Sequence, residues 1–330
     1  MKYNNYTLYG IHSGTERGLV IGYNSFICIS TLIGDTLILV GSLRYDAIKL
    51  HKILVIFIQY IAVADLLLTV FHILPGTVSL VSNEWVFGDV FCSVSYFVDA
   101  GSSIAVSLLI SLLALSKMLI VKYPLRAIQI SAKAAHLAAC CLWIYGFIYP
   151  VAAIAKDPHG VYFSYLVYNC DYGCSKSTWK SVGRKIFGIA FGISVLVSTV
   201  ITALSCVLLI VLAKRAANRI GGPQGLHWQG VLTVLLSGAV HTIATLPLDI
   251  FYITPFDPSD NDSSFLFHLY LGRYAWHVAA LAMVANFYIY TLTLSSFREF
   301  LKSWLTRLVT PLNMRCCAAK EEGDSVGLSG

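Results

Sequence analysis

Four carboxylates, Asp35, Asp65, Asp99 and Asp249, lie inside long apolar stretches of this 330-residue chain. Near the centre of a hydrocarbon layer each costs about 2.5–3.5 kcal/mol on insertion scales unless a partner or water reaches it, so all four are functional candidates. Two chemistries are open to them. An acid can hold a cation, and two acids facing each other in low dielectric can share a proton, because both do not ionise cheaply. Asp99 follows Cys92 by seven residues. That is nearly two helical turns, so both occupy one helix face, with Asp99 about 10 Å further in. Asp249 comes two residues after Pro247, on the outer side of the kink that an internal proline produces. Asp99 and Asp249 either share an acidic cavity or one of them pairs with Arg273. Tyr252, Trp276 and His277 stand at the same level. They would wall such a cavity and add cation–π attraction, or else anchor helix ends at the membrane interface. If Asp35 and Asp65 face each other, the two acids share a proton; the alternative is a neutral Asp35 hydrogen-bonded to backbone. The sequence holds no nucleophile–base pair and no cluster with metal-ligand spacing. Neither catalytic nor metal-binding residues are therefore expected.

The elements that position these residues follow from composition. Of the chain, 57% is hydrophobic and only 12% charged, about half the charged fraction of an ordinary soluble domain. The lipid bilayer is the natural solvent for such a sequence. Apolar stretches long enough to span it are predicted at about 19–43, 53–80, 90–121, 131–155, 182–213, 226–254 and 264–294. The expected fold is therefore all-α, a seven-transmembrane helix bundle over 19–294. Before it comes an extracellular amino-terminal segment, 1–18, with no signal-peptide pattern; after it come an amphipathic helix and cytoplasmic tail, 295–330. In the tail, Phe297, Phe300, Leu301, Trp304 and Leu308 alternate with Arg298, Glu299, Lys302 and Arg307, the spacing of a helix lying on the membrane surface. Basic patches with interleaved aromatics are missing, so nucleic acid is not an expected partner.

Basic residues set the orientation. Loops after the odd-numbered helices, with the tail, hold fifteen of the 23 Lys and Arg, leaving eight for the other side. The positive-inside bias puts the tail in the cytoplasm and the amino terminus outside, as for a multi-pass protein of the plasma membrane. The glycosylation sequons at Asn5 and Asn261 both fall on the outer side. Cys28, Cys140, Cys141 and Cys206 lie within helices and read as small apolar fillers. Cys92 starts the third helix on the outer side, where a disulfide persists. It pairs with Cys170 or Cys174; the sequence leaves the choice open, with Cys170 preferred. Cys316 and Cys317 follow the amphipathic helix on the inner side and suit S-palmitoylation, or remain free thiols.

The order of several short motifs resembles the rhodopsin-like family of G-protein-coupled receptors, over about 19–308. The markers are Gly34-Asp35, Ala62-Val63-Ala64-Asp65-Leu66, Trp85-Val86-Phe87-Gly88 followed by Cys92, Trp143, Pro247, and Asn286 with Tyr290. The resemblance implies a receptor that binds an extracellular ligand among its helices and signals to a heterotrimeric G protein. In the family's amine receptors, and in some of its peptide receptors, an acid at the position of Asp99 binds the ligand's ammonium. A cationic amine or a basic peptide is implied. The resemblance also implies a central polar site at Asp35, Asp65 and Asn286 where a sodium ion can sit beside Asp65; no other cofactor is implied.

The departures are specific. The family's Asp-Arg-Tyr at the inner end of the third helix reads Ser116-Lys117-Met118, which together with Tyr290 makes up the cytoplasmic switch. The sixth-helix tryptophan is Thr245, the seventh-helix proline is Phe287, and the first-helix asparagine is Asp35. Val106, Ala282 and Met283 replace polar groups around the central site. Lys117 keeps the charge of the family's arginine without its planar fork, and either faces the cytoplasmic mouth or snorkels to headgroups. These changes leave open a binding or scavenger receptor that does not couple. A transporter is a weaker reading, because no inverted repeat is found. A retinal Schiff base has no lysine to form on within 264–294.

Overall fold

An apolar run in lipid satisfies its backbone polar groups only within a helix or a closed barrel, and the chain takes the first solution. The computed structural model describes residues 14–44, 48, 50–124, 130–156, 160–164, 169–172, 182–220, 228–253 and 262–307. Among them, seven helices are long and apolar enough to cross a membrane. They are α1 (Gly14–Arg44), α2 (Lys52–Ser82), α3 (Gly88–Lys122), α4 (Ala132–Lys156), α5 (Val182–Ile220), α6 (Trp228–Ile253) and α7 (Asp262–Thr293). An eighth, α8, covers 295–307. Between α4 and α5, β1 (Val161–Ser164) and β2 (Asn169–Tyr172) form an antiparallel hairpin with Phe163 opposite Cys170. Cys170 is bonded to Cys92 at the outer end of α3, which ties the hairpin to the bundle and resolves the choice of partner. Cys174 lies outside the described residues.

Helix association in lipid gains little from hydrophobicity, because acyl chains are as apolar as leucine; close packing between small residues matters more. At Gly146 of α4, a Cβ would meet the Gly101 carbonyl oxygen of α3 at 2.6 Å, so these two helices touch backbone to backbone. The inner half of the bundle is filled by Leu54, Phe57, Leu109, Leu113, Val231, Tyr290 and Phe297. Leu43, Ile144, Leu204 and Leu292 remain exposed on the outside, as lipid-facing residues should. Cys140 and Cys141 are on this outer face, with Cys28 buried and Cys206 half-buried. The filler role therefore fails for Cys140 and Cys141, since the tight α3–α4 contact turns their side of α4 outward.

The helix ends explain small differences from the expected spans. α1 begins at Gly14 rather than near 19, because Arg17 donates to the Leu80 and Val81 carbonyls at the end of α2. A cation there satisfies acceptors that have no intrahelical partner. Arg298 of α8 does the same for Thr291 and Leu292 at the end of α7. Phe297 is buried while Arg298, Glu299 and Lys302 are exposed, so α8 has the amphipathic character its sequence predicts. Asn5, Asn261, Cys316 and Cys317 lie outside the described residues.

Candidate ligand-binding site

A cavity partly open to solvent, with about 710 Å³ of empty space including its mouth, runs between α2, α3, α5, α6 and α7. Its polar lining is Asp65, Asp99, Ser103, Ser107, His241, Thr245, Asp249 and Asn286; Leu68, Val106, Phe191, Val195, Trp276 and Met283 line much of the rest. Three of the four intramembrane acids thus face one space. Asp35 is not among the lining residues.

Asp99 is placed by two helices. Its own helix carries it inward below Cys92, as the seven-residue spacing predicts. Across from it, α2 widens into a π-helical stretch, Thr69–Ile73, just before Pro75, which has no N–H to donate to the ladder. A π-bulge inserts one residue into a turn and re-aims the side chains around it. His72 lies in that stretch, 3% exposed, with Nδ1 3.5 Å from Asp99 Oδ2. The His72 ring lies against Trp276 with centroids 4.6 Å apart. Trp276 in turn meets the edge of His277 at 5.6 Å, and His277 meets Tyr23 at 5.6 Å. Trp276 therefore walls the cavity instead of anchoring an interface. The partner of Asp99 that sequence reasoning missed is His72. Its signal was present: an imidazole in an apolar span, three residues before a proline.

Asp249 sits on α6 with no solvent exposure. Thr199 of α5 donates to its Oδ2 at 2.8 Å, and Thr245 donates to the His241 carbonyl at 2.9 Å. Asp249 Oδ1 has no hydrogen-bond partner among the described residues. A buried acceptor left without a donor costs about 1–3 kcal/mol. The same holds for His241, 4% exposed, neither of whose ring nitrogens has a partner among the described residues. Residues 241, 245 and 249 follow the i, i+4 spacing that aligns side chains on one helix face, so α6 turns a polar stripe toward the cavity. His241 was not foreseen either, although a histidine eight residues before Asp249 was legible as part of that stripe. The side chains of Tyr252 and Arg273 lie outside the described residues.

At the floor, Asn286 Nδ2 donates to Asp65 Oδ2 at 3.2 Å, joining α7 to α2. Asp35 is 1% exposed, and neither carboxyl oxygen has a hydrogen-bond partner among the described residues. No hydrogen bond joins Asp35 to Asp65 or to backbone among the described residues. Next to Asp35, Gly34 packs against Phe287, where a Cβ would come 2.7 Å from the Phe287 Cβ. A sodium ion beside Asp65 would need a shell of oxygen ligands; the side chains with oxygens at this end of the cavity are Asp65, Ser103, Ser107 and Asn286, and Val106, Ala282 and Met283 also line it.

At the inner end of α3, Ser116 is half-buried and Met118 buried. Lys117 is 6% exposed. Its Nζ would stand 3.1 Å from a Cβ placed on Gly230 of α6, with Leu50 Cδ2 at 2.8 Å from the same point. Lysine thus folds inward and does not snorkel, because the missing side chain at Gly230 leaves room for it. Burial, and then the Lys117 charge, hold the His51 imidazole below its ordinary range. Tyr290 is fully buried in the core beneath.

Seven membrane-spanning helices around a cavity, with a hairpin tied by a disulfide to the third, define a seven-transmembrane-helix protein of receptor type. Residues 34–276, well over half of the chain, match the family of seven-transmembrane receptors of the rhodopsin type, and the chain belongs to that family. It is similar to octopamine receptor 1 of Lymnaea stagnalis, 29% identical over 123 residues, which are 37% of this chain and 19% of that protein. It is also similar to neuropeptide receptor 3 of Caenorhabditis elegans, 24% identical over 153 residues, 46% of this chain and 38% of the relative. The chain therefore spans well under half the length of these relatives.

Proposed function

We propose that the protein is a plasma-membrane receptor for an extracellular cationic ligand, an amine or a basic peptide, which binds at Asp99 and signals to a heterotrimeric G protein. The observation that carries this is the carboxylate of Asp99, 20% exposed at its side chain beside His72, in a cavity walled by Trp276. A ligand ammonium there meets an acid and an aromatic face together, and in a water-poor site both attractions strengthen. The similarity to an octopamine receptor and to a neuropeptide receptor supports a ligand of this kind. Fifteen of 23 basic residues on one side support an outer amino terminus and a cytoplasmic tail.

A ligand enters the cavity by displacing the His72–Asp99 contact, and its differential affinity for the two packings of the bundle sets how far it shifts their populations. The test is a binding screen of cationic amines and basic peptides on the purified receptor, read by thermal stabilisation, with nucleotide exchange on added G protein as a second readout. Asp99→Asn should weaken cation binding at least tenfold. Unchanged binding in that variant would remove the reading. A second reading, a receptor that binds without coupling, is favoured by the inward-folded Lys117 and by Phe287 in the seventh helix. It predicts normal binding with no nucleotide exchange.

A further inference from the structure

We infer that the ligand carries two basic groups, and that Asp249 is the site for the second. This inference rests on the cationic-ligand reading of Asp99 and extends it. Asp99 on α3 and Asp249 on α6 line one cavity, so a ligand with a single cation compensates one acid and leaves the other facing a low-dielectric space. Asp249 is built to receive a donor. Thr199 donates to its Oδ2 at 2.8 Å, while Oδ1 has no hydrogen-bond partner among the described residues, and the residue lines the cavity.

A separate observation points the same way. His241, on the same stripe of α6, lines the same cavity, is 4% exposed, and has no partner among the described residues at either ring nitrogen. A protonated amine has three N–H donors and no acceptor, which suits the Asp249 Oδ1 and the one ring nitrogen of a neutral His241 that accepts. Leu68, Val106, Phe191 and Val195 make much of the remaining lining apolar, so the segment joining the two basic groups is hydrocarbon. The class is a flexible dibasic molecule, either a free α,ω-diamine or the paired basic side chains of a peptide end.

The experiment uses the full chain in lipid nanodiscs and follows thermal stabilisation by diamines from diaminopropane to diaminooctane, each against the monoamine of equal length. Nα-acetyl-lysyl-lysine amide, which has two basic groups, against its form acetylated on one ε-amine as well runs in parallel and separates a peptide end from a free diamine. The expected result is an affinity at least tenfold above the matched monobasic compound in one of the two series, with an optimum chain length in the diamine series. Asp249→Asn should bring that ratio close to one. Asp249→Glu, which keeps the charge on an arm longer by one methylene, should move the optimum to a shorter diamine. Monobasic compounds that bind through Asp99 with no dibasic advantage would overturn the inference and leave the cationic-ligand reading standing. An advantage that survives Asp249→Asn would also overturn it. Failure of every amine and dipeptide to bind would overturn both.

Discussion

Gly230→Ala tests whether the inner ends of α3 and α6 are held together by shape. A Cβ at this position would lie 2.8 Å from Leu50 Cδ2 and 3.1 Å from Lys117 Nζ. Real Cβ contacts are essentially never under 3.0 Å, so the neighbours must move. Both contacting atoms are the free ends of flexible side chains, which puts the cost at the low end of the overpacking range, about 1 kcal/mol. Lys117 is only 6% exposed, so it has little room to retreat and the cost does not vanish. It arises only while α6 lies against Leu50 and α3, and an arrangement with α6 moved away from both escapes it. A bias of about 1 kcal/mol changes that ratio roughly fivefold toward the open arrangement. Spin labels at Leu119 and Trp228, both partly exposed on the two helices, would read the change as growth of a longer-distance population. Combining Gly230→Ala with Leu50→Ala and Lys117→Ala should cancel most of the effect, because both crowding side chains are gone. A distance distribution identical to that of the unmodified protein would refute the reasoning, whatever the receptor does with a G protein.

Three further outcomes follow from local geometry. Gly34→Ala places its methyl 2.7 Å from the Phe287 Cβ, an atom fixed to the backbone; it should cost about 1–3 kcal/mol in thermal unfolding, and Gly34→Ala with Phe287→Ala should recover part of it. Thr199→Val removes the hydroxyl that donates to Asp249; a loss of about 1–3 kcal/mol is expected, and Thr199→Ser should restore most of it. His51 is held below its ordinary value by burial and by Lys117, so the folded protein binds that proton more weakly than the unfolded chain. Its contribution should be flat above the ordinary histidine value, roughly 6.5, and stability should fall as pH drops through the window just below it. Titrating the unfolding midpoint of His51→Asn should show a shallower acid limb; an unchanged limb would count against this assignment.

What the sequence made legible was set within single helices. Long apolar runs fix the seven spans, and 3.6-residue periodicity puts Asp99 beneath Cys92 and Asp249 on the stripe with Thr245. What it left hidden depends on one helix meeting another. His72 reaches Asp99 only because α2 widens at Thr69–Ile73, a change of one residue that no hydropathy pattern records. Lys117 folds inward because Gly230, more than a hundred residues later, has no side chain there. The close approach of α1 to α7, with Gly34 on Phe287, was likewise not legible in either helix alone.

The departures from the family pattern also account for the depth of the cavity. A tryptophan at the position of Thr245 would occupy the space between the outer acids and the floor, whereas threonine spends its hydroxyl on the His241 carbonyl and fills little volume. The result is one continuous space from Asp99 and Asp249 past His241 to Asp65 and Asn286. Under the cationic-ligand reading, ligand charge and floor charge would face one continuous space. On that reading a cation at the outer acids would act by charge on Asp65, and through the Asn286 bond on α7, without any bulky side chain having to swing between them. That coupling is electrostatic, and it follows from a residue being small where the family's is large.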